Sequence, residues 1–568
     1  PIMHMNTITS KAIKIFAALS LTTAFGGEIE SDFKNPPADN RAETWWHFTT
    51  NCVTKEGITR DLEAMKQIGY SAAHIFYVNT FASIPNSEPY QVFTPRWYEL
   101  MQHAGKEAGR LGLSLGVHNC PGWSSSGGPW IKPEDSMKCL VFSSTRADPN
   151  SKGIKLPKPP ANREFYRDIA VLAIPAQTPL PLPKISSSDN LENAAETAKS
   201  GNTKPCLLPI HKEGKTSLLL EYPEVVGAKT LELLFDNPRV QFKLEISASD
   251  DGKNFKKVGS LDYHNRRHKA SPIFAKINGG RGANAKFFRL DFENKQVPSW
   301  ERAWSPFALR SLKFTNDSII ENIAAKNSAG MSFAYRPAYT TEICPKSEDV
   351  LDLSDKMSPD GSLDWYPESG NWNILRIGYT STGSENAPAG WHERGLECDK
   401  LSKRGMDAHW PKYMAAMQKN LGSSLKYATI DSYEVGGQNW TEDFADEFKK
   451  RRGYDIKKWL PAALGYTIES SAKSAKFRYD LQHTVSDLFA ENYYDYFTEL
   501  CHKNGLLAIT EAYGGPYDSV RCARAADLPA SEFWLNGSNA GKHAYSVNNF
   551  FGRKSAGPES FTSVVGPD

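Results

Sequence analysis

Ala428-Thr429-Ile430-Asp431-Ser432-Tyr433-Glu434 is a short apolar run that ends in carboxylates. The pattern returns in Leu507-Ala508-Ile509-Thr510-Glu511-Ala512-Tyr513 and in Pro529-Ala530-Ser531-Glu532-Phe533-Trp534. Aromatic residues accompany each acid, and Gly or Asn follows shortly after. A strand that presents an acid and a ring and then turns has the form of the catalytic rim of a (β/α)8 barrel, whose chemistry sits at the strand C-termini. Acids beside rings point to a sugar site. Carboxyl groups supply general acid and base for an acetal, and rings supply flat apolar faces for sugar C–H groups. Glu434, Glu511 and Glu532 are therefore the catalytic candidates, with Tyr433, Tyr513 and Trp534 as sugar contacts; which acid does what stays open on this reading.

Outward from these runs the chain alternates strand and helix. Thr44 to Phe48 reads as a first strand, and a helix capped by Thr54 carries Ile58, Leu62 and Met65 on one stripe and stops at Gly69. Ala72–Val78 is a second strand. Thr94-Pro95 opens a helix with Trp97, Met101, Ala104, Ala108 and Leu111 at helical spacing, ending at Gly112. Leu113–Asn119 is a third strand. It runs into a loop from Cys120 to Trp130 that no regular element can hold.

Between about 146 and 345 the grammar changes to short strands with turn signals, among them Ser217–Glu221, Thr230–Phe235 and Phe242–Ser249, the last meeting Asp250-Asp251-Gly252-Lys253. This is the texture of a β-sandwich inserted in the barrel, similar to the galactose-binding-like jelly rolls. Barrel texture resumes with the apolar run Trp372–Tyr379, and helices follow over about 406–421, 441–464 and 478–504. The expected organisation is a leader over 1–27, barrel over 28–145, sandwich over 146–345 and the rest of the barrel over 346–568.

At 568 residues the chain exceeds one compact core. Its net charge of +2, with both signs interspersed, gives no support for nucleic acid or a polybasic membrane patch. Eight scattered cysteines show no zinc-type spacing. Lys11 and Lys14 precede an apolar run from Ile15 to Phe25 and then Gly26-Gly27, the form of a secretory signal too short to be a stable transmembrane anchor. Export to the periplasm or beyond is the expectation.

Other polar groups gather near the strand ends. His118, Asn119 and Trp123 sit where the third strand meets the Gly/Trp loop and are candidate sugar contacts. Asp431 lies three residues before Glu434; on an extended strand the two point to opposite faces, but both can reach the rim if the strand has ended by Ser432. Hard oxygen donors at that density suit Ca²⁺, so Asp431 is a candidate metal ligand. Glu397 and Asp399 read either as substrate contacts or as partners of Lys400 or Arg404, and Glu397 stands among the substrate candidates. GxSxG, P-loop and HExxH motifs are absent.

Trp45-Trp46-His47, the run from Val53 to Met65, His118-Asn119-Cys120-Pro121-Gly122-Trp123-Ser124-Ser125-Ser126-Gly127-Gly128-Pro129-Trp130, Asp431-Ser432-Tyr433-Glu434 and Glu511-Ala512-Tyr513-Gly514-Gly515-Pro516 together resemble the α-L-rhamnosidases of glycoside hydrolase family 106. The resemblance implies an exported, multi-domain (β/α)8 enzyme that removes terminal α-L-rhamnose from a carbohydrate by inversion, with calcium at the sugar hydroxyls. By motif it makes Glu434 the general acid, Glu532 the general base and Glu511 a third essential acid, with Asp431 a candidate calcium ligand. It also implies C-terminal β-domains beyond residue 568, so this chain is expected to stop near the eighth strand. A retaining glycosidase for another sugar and a non-catalytic glycan-binding protein are the alternative readings.

Overall fold

A computed structural model describes residues 29–49, 52–78, 92–124, 126–199, 202–209, 211, 213–237, 240–265, 272–295, 306–320, 323, 344–534, 541–553 and 555–562. The expected leader over 1–27 lies outside them. Seven parallel strands make the central sheet, a curled half-barrel: β1 (Glu43–Thr49), β2 (Ala72–Val78), β3 (Ser114–His118), β4 (Leu425–Ile430), β5 (Leu507–Thr510), β6 (Leu528–Trp534) and β7 (Gly557–Thr562). Spatial order follows chain order, each strand pairing parallel with the next. All seven residues of β2 are buried, as expected for a parallel strand covered on both faces.

The helices between strands are capped as their sequences require. The Thr54 hydroxyl accepts the Gly57 N–H at 3.0 Å and opens Lys55–Gln67; the Thr94 hydroxyl accepts the Trp97 N–H at 3.3 Å and opens Pro95–Leu111. The second helix lies so close to Leu421 that a β-carbon on Gly105 would stand 2.4 Å from the Leu421 carbonyl oxygen. The helix expected over 406–421 is two short ones, Lys403–His409 and Met414–Leu421. The expected long helix is Ser471–Phe489, a π-helical stretch Ala490–Asp495 and Tyr496–Lys503. In that π stretch the Tyr493 hydroxyl meets the Ser126 hydroxyl at 2.6 Å, tying the helix to the Gly/Trp loop.

Residues 184–315 form two antiparallel sheets of five and four strands around their own core, which includes Leu218, Leu220, Leu231, Leu233, Phe242, Phe288 and Leu312. The anticipated hairpin joins Val240–Ser249 to Lys256–Asn265. Its turn is held by Asp251, whose Oδ1 accepts the N–H groups of Lys253 and Asn254 at 2.8 Å each, with Gly252 at φ 70°.

One expectation fails here. Trp372–Tyr379 does not resume the barrel; it belongs to Asn371–Ser381, an antiparallel strand between Lys138–Ala147 and Tyr166–Ala176, with Leu351–Asp352 at the edge of the same sheet. From Asn373 onward the whole strand is buried. A strand covered on both faces shows the same continuous apolar run whether its neighbours are parallel or antiparallel, so pattern cannot separate the two. Among the described residues no helix is long and apolar enough to cross a membrane.

Candidate active site

The parallel register brings five strand ends to one edge of the sheet. β3 and β4 pair His118 with Thr429, β4 and β5 pair Ile430 with Thr510, and β6 and β7 pair Glu532 with Glu559. Because β4 stops at Ile430 and β5 at Thr510, Asp431 and Glu511 each fall one residue past a matched pair, and the Glu511 N–H donates to the Ile430 carbonyl at 2.8 Å. Asp431, Glu511 and Glu559 thereby offer carboxylate oxygens within 4.8 Å of one another. Asp431 is oriented by two donors: the His118 ring Nε2 lies 2.8 Å from its Oδ2, and the Ser432 N–H donates to its Oδ1 at 2.6 Å.

Two further carboxylates are each held by an indole. The Trp123 Nε1–H donates to Glu434 Oε2 at 3.1 Å, and the Ser432 hydroxyl lies 3.3 Å from Oε1. The Trp534 Nε1–H donates to Glu532 Oε2 at 2.5 Å. Glu434 is exposed and Glu532 half-buried, so both can meet a ligand above the sheet. Glu511, by contrast, is fully buried; its Oε2 accepts the Tyr513 hydroxyl at 2.9 Å and its Oε1 has no hydrogen-bond partner. Burial holds the Glu511 carboxyl well above the usual carboxylate range, the negative charges of Asp431, Glu559 and Glu532 push it further, and the Tyr513 hydrogen bond opposes them.

A glycosidase family profile described as alpha-L-rhamnosidase matches residues 34–567. The chain belongs to glycoside hydrolase family 106. Among solved structures, the rhamnosidase from Novosphingobium sp. PP1Y is similar with a TM-score of 0.80 and 26% identity, over 95% of this chain and 53% of that one. A Formosa agariphila protein named "Putative beta-glucuronidase" is 30% identical over 550 residues, 95% of this chain and 36% of that protein. The family 106 chain thus spans about half the length of the first relative and about a third of the second.

Several expected contacts take other positions in this family 106 chain. Tyr433 packs into the core against Phe489 and Tyr517; past the end of β4 at Ile430, Asp431 joins the carboxylate cluster and Glu434 is exposed, while the ring between them is buried. Glu397, expected on the substrate, is fully buried: Lys400, also fully buried, lies 2.8 Å from its Oε2, and the Ser124 hydroxyl and Ser126 N–H donate to it at 3.0 and 2.9 Å. A buried carboxylate needs its charge and lone pairs satisfied, and here Lys400 satisfies the charge while the loop that carries Trp123 supplies the other hydrogen bonds. His118 is buried with Nδ1 3.4 Å from the Ile75 carbonyl as well as Nε2 on Asp431, so it orients that carboxylate. Asn119 donates to the Ser126 hydroxyl, while its Oδ1 is buried without a partner.

Other rim residues escaped the sequence reading. Glu559 is not among the candidates named from sequence, and nothing in one strand's pattern reveals that it faces Glu511. His47 and Phe76 share the inner face of the sheet with His118: β1 and β2 pair His47 with Phe76, and the Phe76 ring stands 4.1 Å from His118 and 5.6 Å from Trp123.

Proposed function

We propose that this family 106 chain is the catalytic part of an exported, exo-acting α-L-rhamnosidase that inverts the anomeric carbon, with Glu434 as general acid and Glu532 as general base. The observation that carries the reading is the pair of indole-held carboxylates at the same strand ends as the Asp431, Glu511 and Glu559 cluster. Glu434 gives its proton to the leaving glycosidic oxygen while Glu532 takes one from the attacking water. Inversion and exo action follow from the family resemblance; inversion needs the two carboxyl groups roughly 6.5–9.5 Å apart so that water fits between them.

The cluster suits calcium. It is an all-oxygen donor set with a buried, partnerless Glu511 oxygen, and hard cations take such donors. Asp431, Glu511 and Glu559 would hold the ion, His118 orienting Asp431. A bound Ca²⁺ would neutralise the clustered charge and order sugar hydroxyls. Tyr513 fixes Glu511, and Trp123 and Trp534 fix the two reacting carboxylates.

The same reading takes the seven strands as part of a closed (β/α)8 barrel over 28–145 and 346–568. It takes the two sheets within 184–315 as an inserted galactose-binding-like jelly roll and 1–27 as a leader directing the protein to the periplasm or outside. Rhamnose is favoured over a uronic acid by charge. The strand ends described above bring five carboxylates and no lysine or arginine to the rim, so a uronate would enter an acidic site.

The test is hydrolysis of an aryl α-L-rhamnoside beside an aryl β-glucuronide, followed by proton NMR of the first-formed anomer. Glu434→Gln and Glu532→Gln should each lower kcat about 10²–10⁴-fold, and the released rhamnose should be inverted. Full activity in both variants would remove the assignment. Retention would point instead to a covalent mechanism, and turnover of the glucuronide alone to the other sugar. Separately, Ca²⁺ should raise Tm, EDTA should lower it, and Asp431→Asn should abolish the difference.

A further inference from the structure

Trp391 is 85% exposed, yet the turn that carries it is firmly built. The Glu393 and Arg394 N–H groups both donate to the Gly390 carbonyl, at 3.0 and 2.9 Å, and Glu393 Oε2 accepts the Gly390 N–H at 2.8 Å. Glu393 Oε1 accepts the hydroxyl of Tyr77, at the C-terminal end of β2, at 2.6 Å and the Val92 N–H at 3.0 Å. A buried carboxylate therefore staples this turn to the functional edge of the sheet.

The segment leading to the turn is tied to Glu434 from two sides. The Ala387 carbonyl accepts the N–H groups of Trp123 and Ser124 at 3.1 and 3.0 Å, and Trp123 is the residue whose indole holds Glu434. The Ser384 hydroxyl donates to the carbonyl of Val435, the residue after Glu434, at 2.7 Å. Trp391 is four positions on from Ala387, so its backbone stays within roughly 14 Å of that of Ala387. A general acid stands on the leaving-group side of the scissile bond. The exposed indole is thus held within reach of the segment that orients Glu434, and a flat apolar ring is suited to the C–H face of a sugar.

We propose that Trp391 is a stacking platform for the sugar that carries the rhamnose, which makes a glycan-linked rhamnoside a better substrate than one with a small alkyl aglycone. This rests on Glu434 being the general acid. The experiment compares the full chain with Trp391→Ala and Trp391→Phe on methyl α-L-rhamnoside and on a rhamnosyl oligosaccharide. The expected result is a rise in KM on the order of tenfold for the oligosaccharide in Trp391→Ala, partial recovery in Trp391→Phe, and unchanged kinetics on the methyl glycoside. Equal effects on both substrates, or none on either, would overturn the proposal. If the unsubstituted chain turns over neither substrate, the rhamnosidase reading has failed. Calorimetric titration with the de-rhamnosylated oligosaccharide then decides the platform: weaker binding to Trp391→Ala supports it, and equal binding overturns it.

Discussion

Single donors govern the reactive groups. An indole N–H has one direction, so Trp123 and Trp534 each fix one oxygen of Glu434 and Glu532. His409 does similar work beneath the rim. It is buried, its Nε2 meets the Asn119 carbonyl, and its Nδ1 lies 3.2 Å from the Trp130 indole nitrogen, so the neutral ring carries its proton on Nε2. Burial pulls its pKa from 6.5 down to about 4. As pH falls below 6.5 the unfolded chain takes up a proton that the folded one refuses. The contribution is therefore complete above pH 6.5 and declines between 6.5 and 4, by about 3 kcal/mol in all. Urea denaturation at pH 7 and pH 4.5 should show this decline in the parent and a smaller one in His409→Gln; equal declines would contradict it.

At the scale of elements, close approach sets the positions of the rim strands. Gly105 lets the helix Pro95–Leu111 touch the backbone of Leu421, just before β4 begins. Gly105→Ala should destabilise the protein by about 1–3 kcal/mol through overpacking, seen as a lower denaturation midpoint, whereas a neutral result would mean that the helix moves freely. The caps at Thr54 and Thr94 and the Asp251-Gly252 turn were legible because their chemistry is local. Asn371–Ser381 was not, since its apolar run is equally compatible with a barrel strand; only its partners, Lys138–Ala147 and Tyr166–Ala176, distinguish the two.

At the scale of the molecule, two large apolar cores stand side by side. The core within 185–314 is separate from that of the parallel sheet, and Phe274, on a strand of the first, joins the second near Tyr466 at 6.4 Å. Cores so divided should melt separately, and scanning calorimetry should resolve more than one transition. A single transition with equal calorimetric and van't Hoff enthalpies would show that the seam couples them fully.

The sequence by itself determined the acid-bearing strand ends, the helix caps between them, the change of texture from parallel to antiparallel strands and the family. These rest on local pattern and on motifs that a chain carries wherever it folds. Tertiary structure alone decided that Asp431, Glu511 and Glu559 face one another, that Tyr433 and Glu397 turn away from the rim, and that Trp123 holds the Glu434 carboxylate. Each depends on register between strands or on contacts between residues tens to hundreds of positions apart, and neither periodicity nor spacing along one chain encodes such distances.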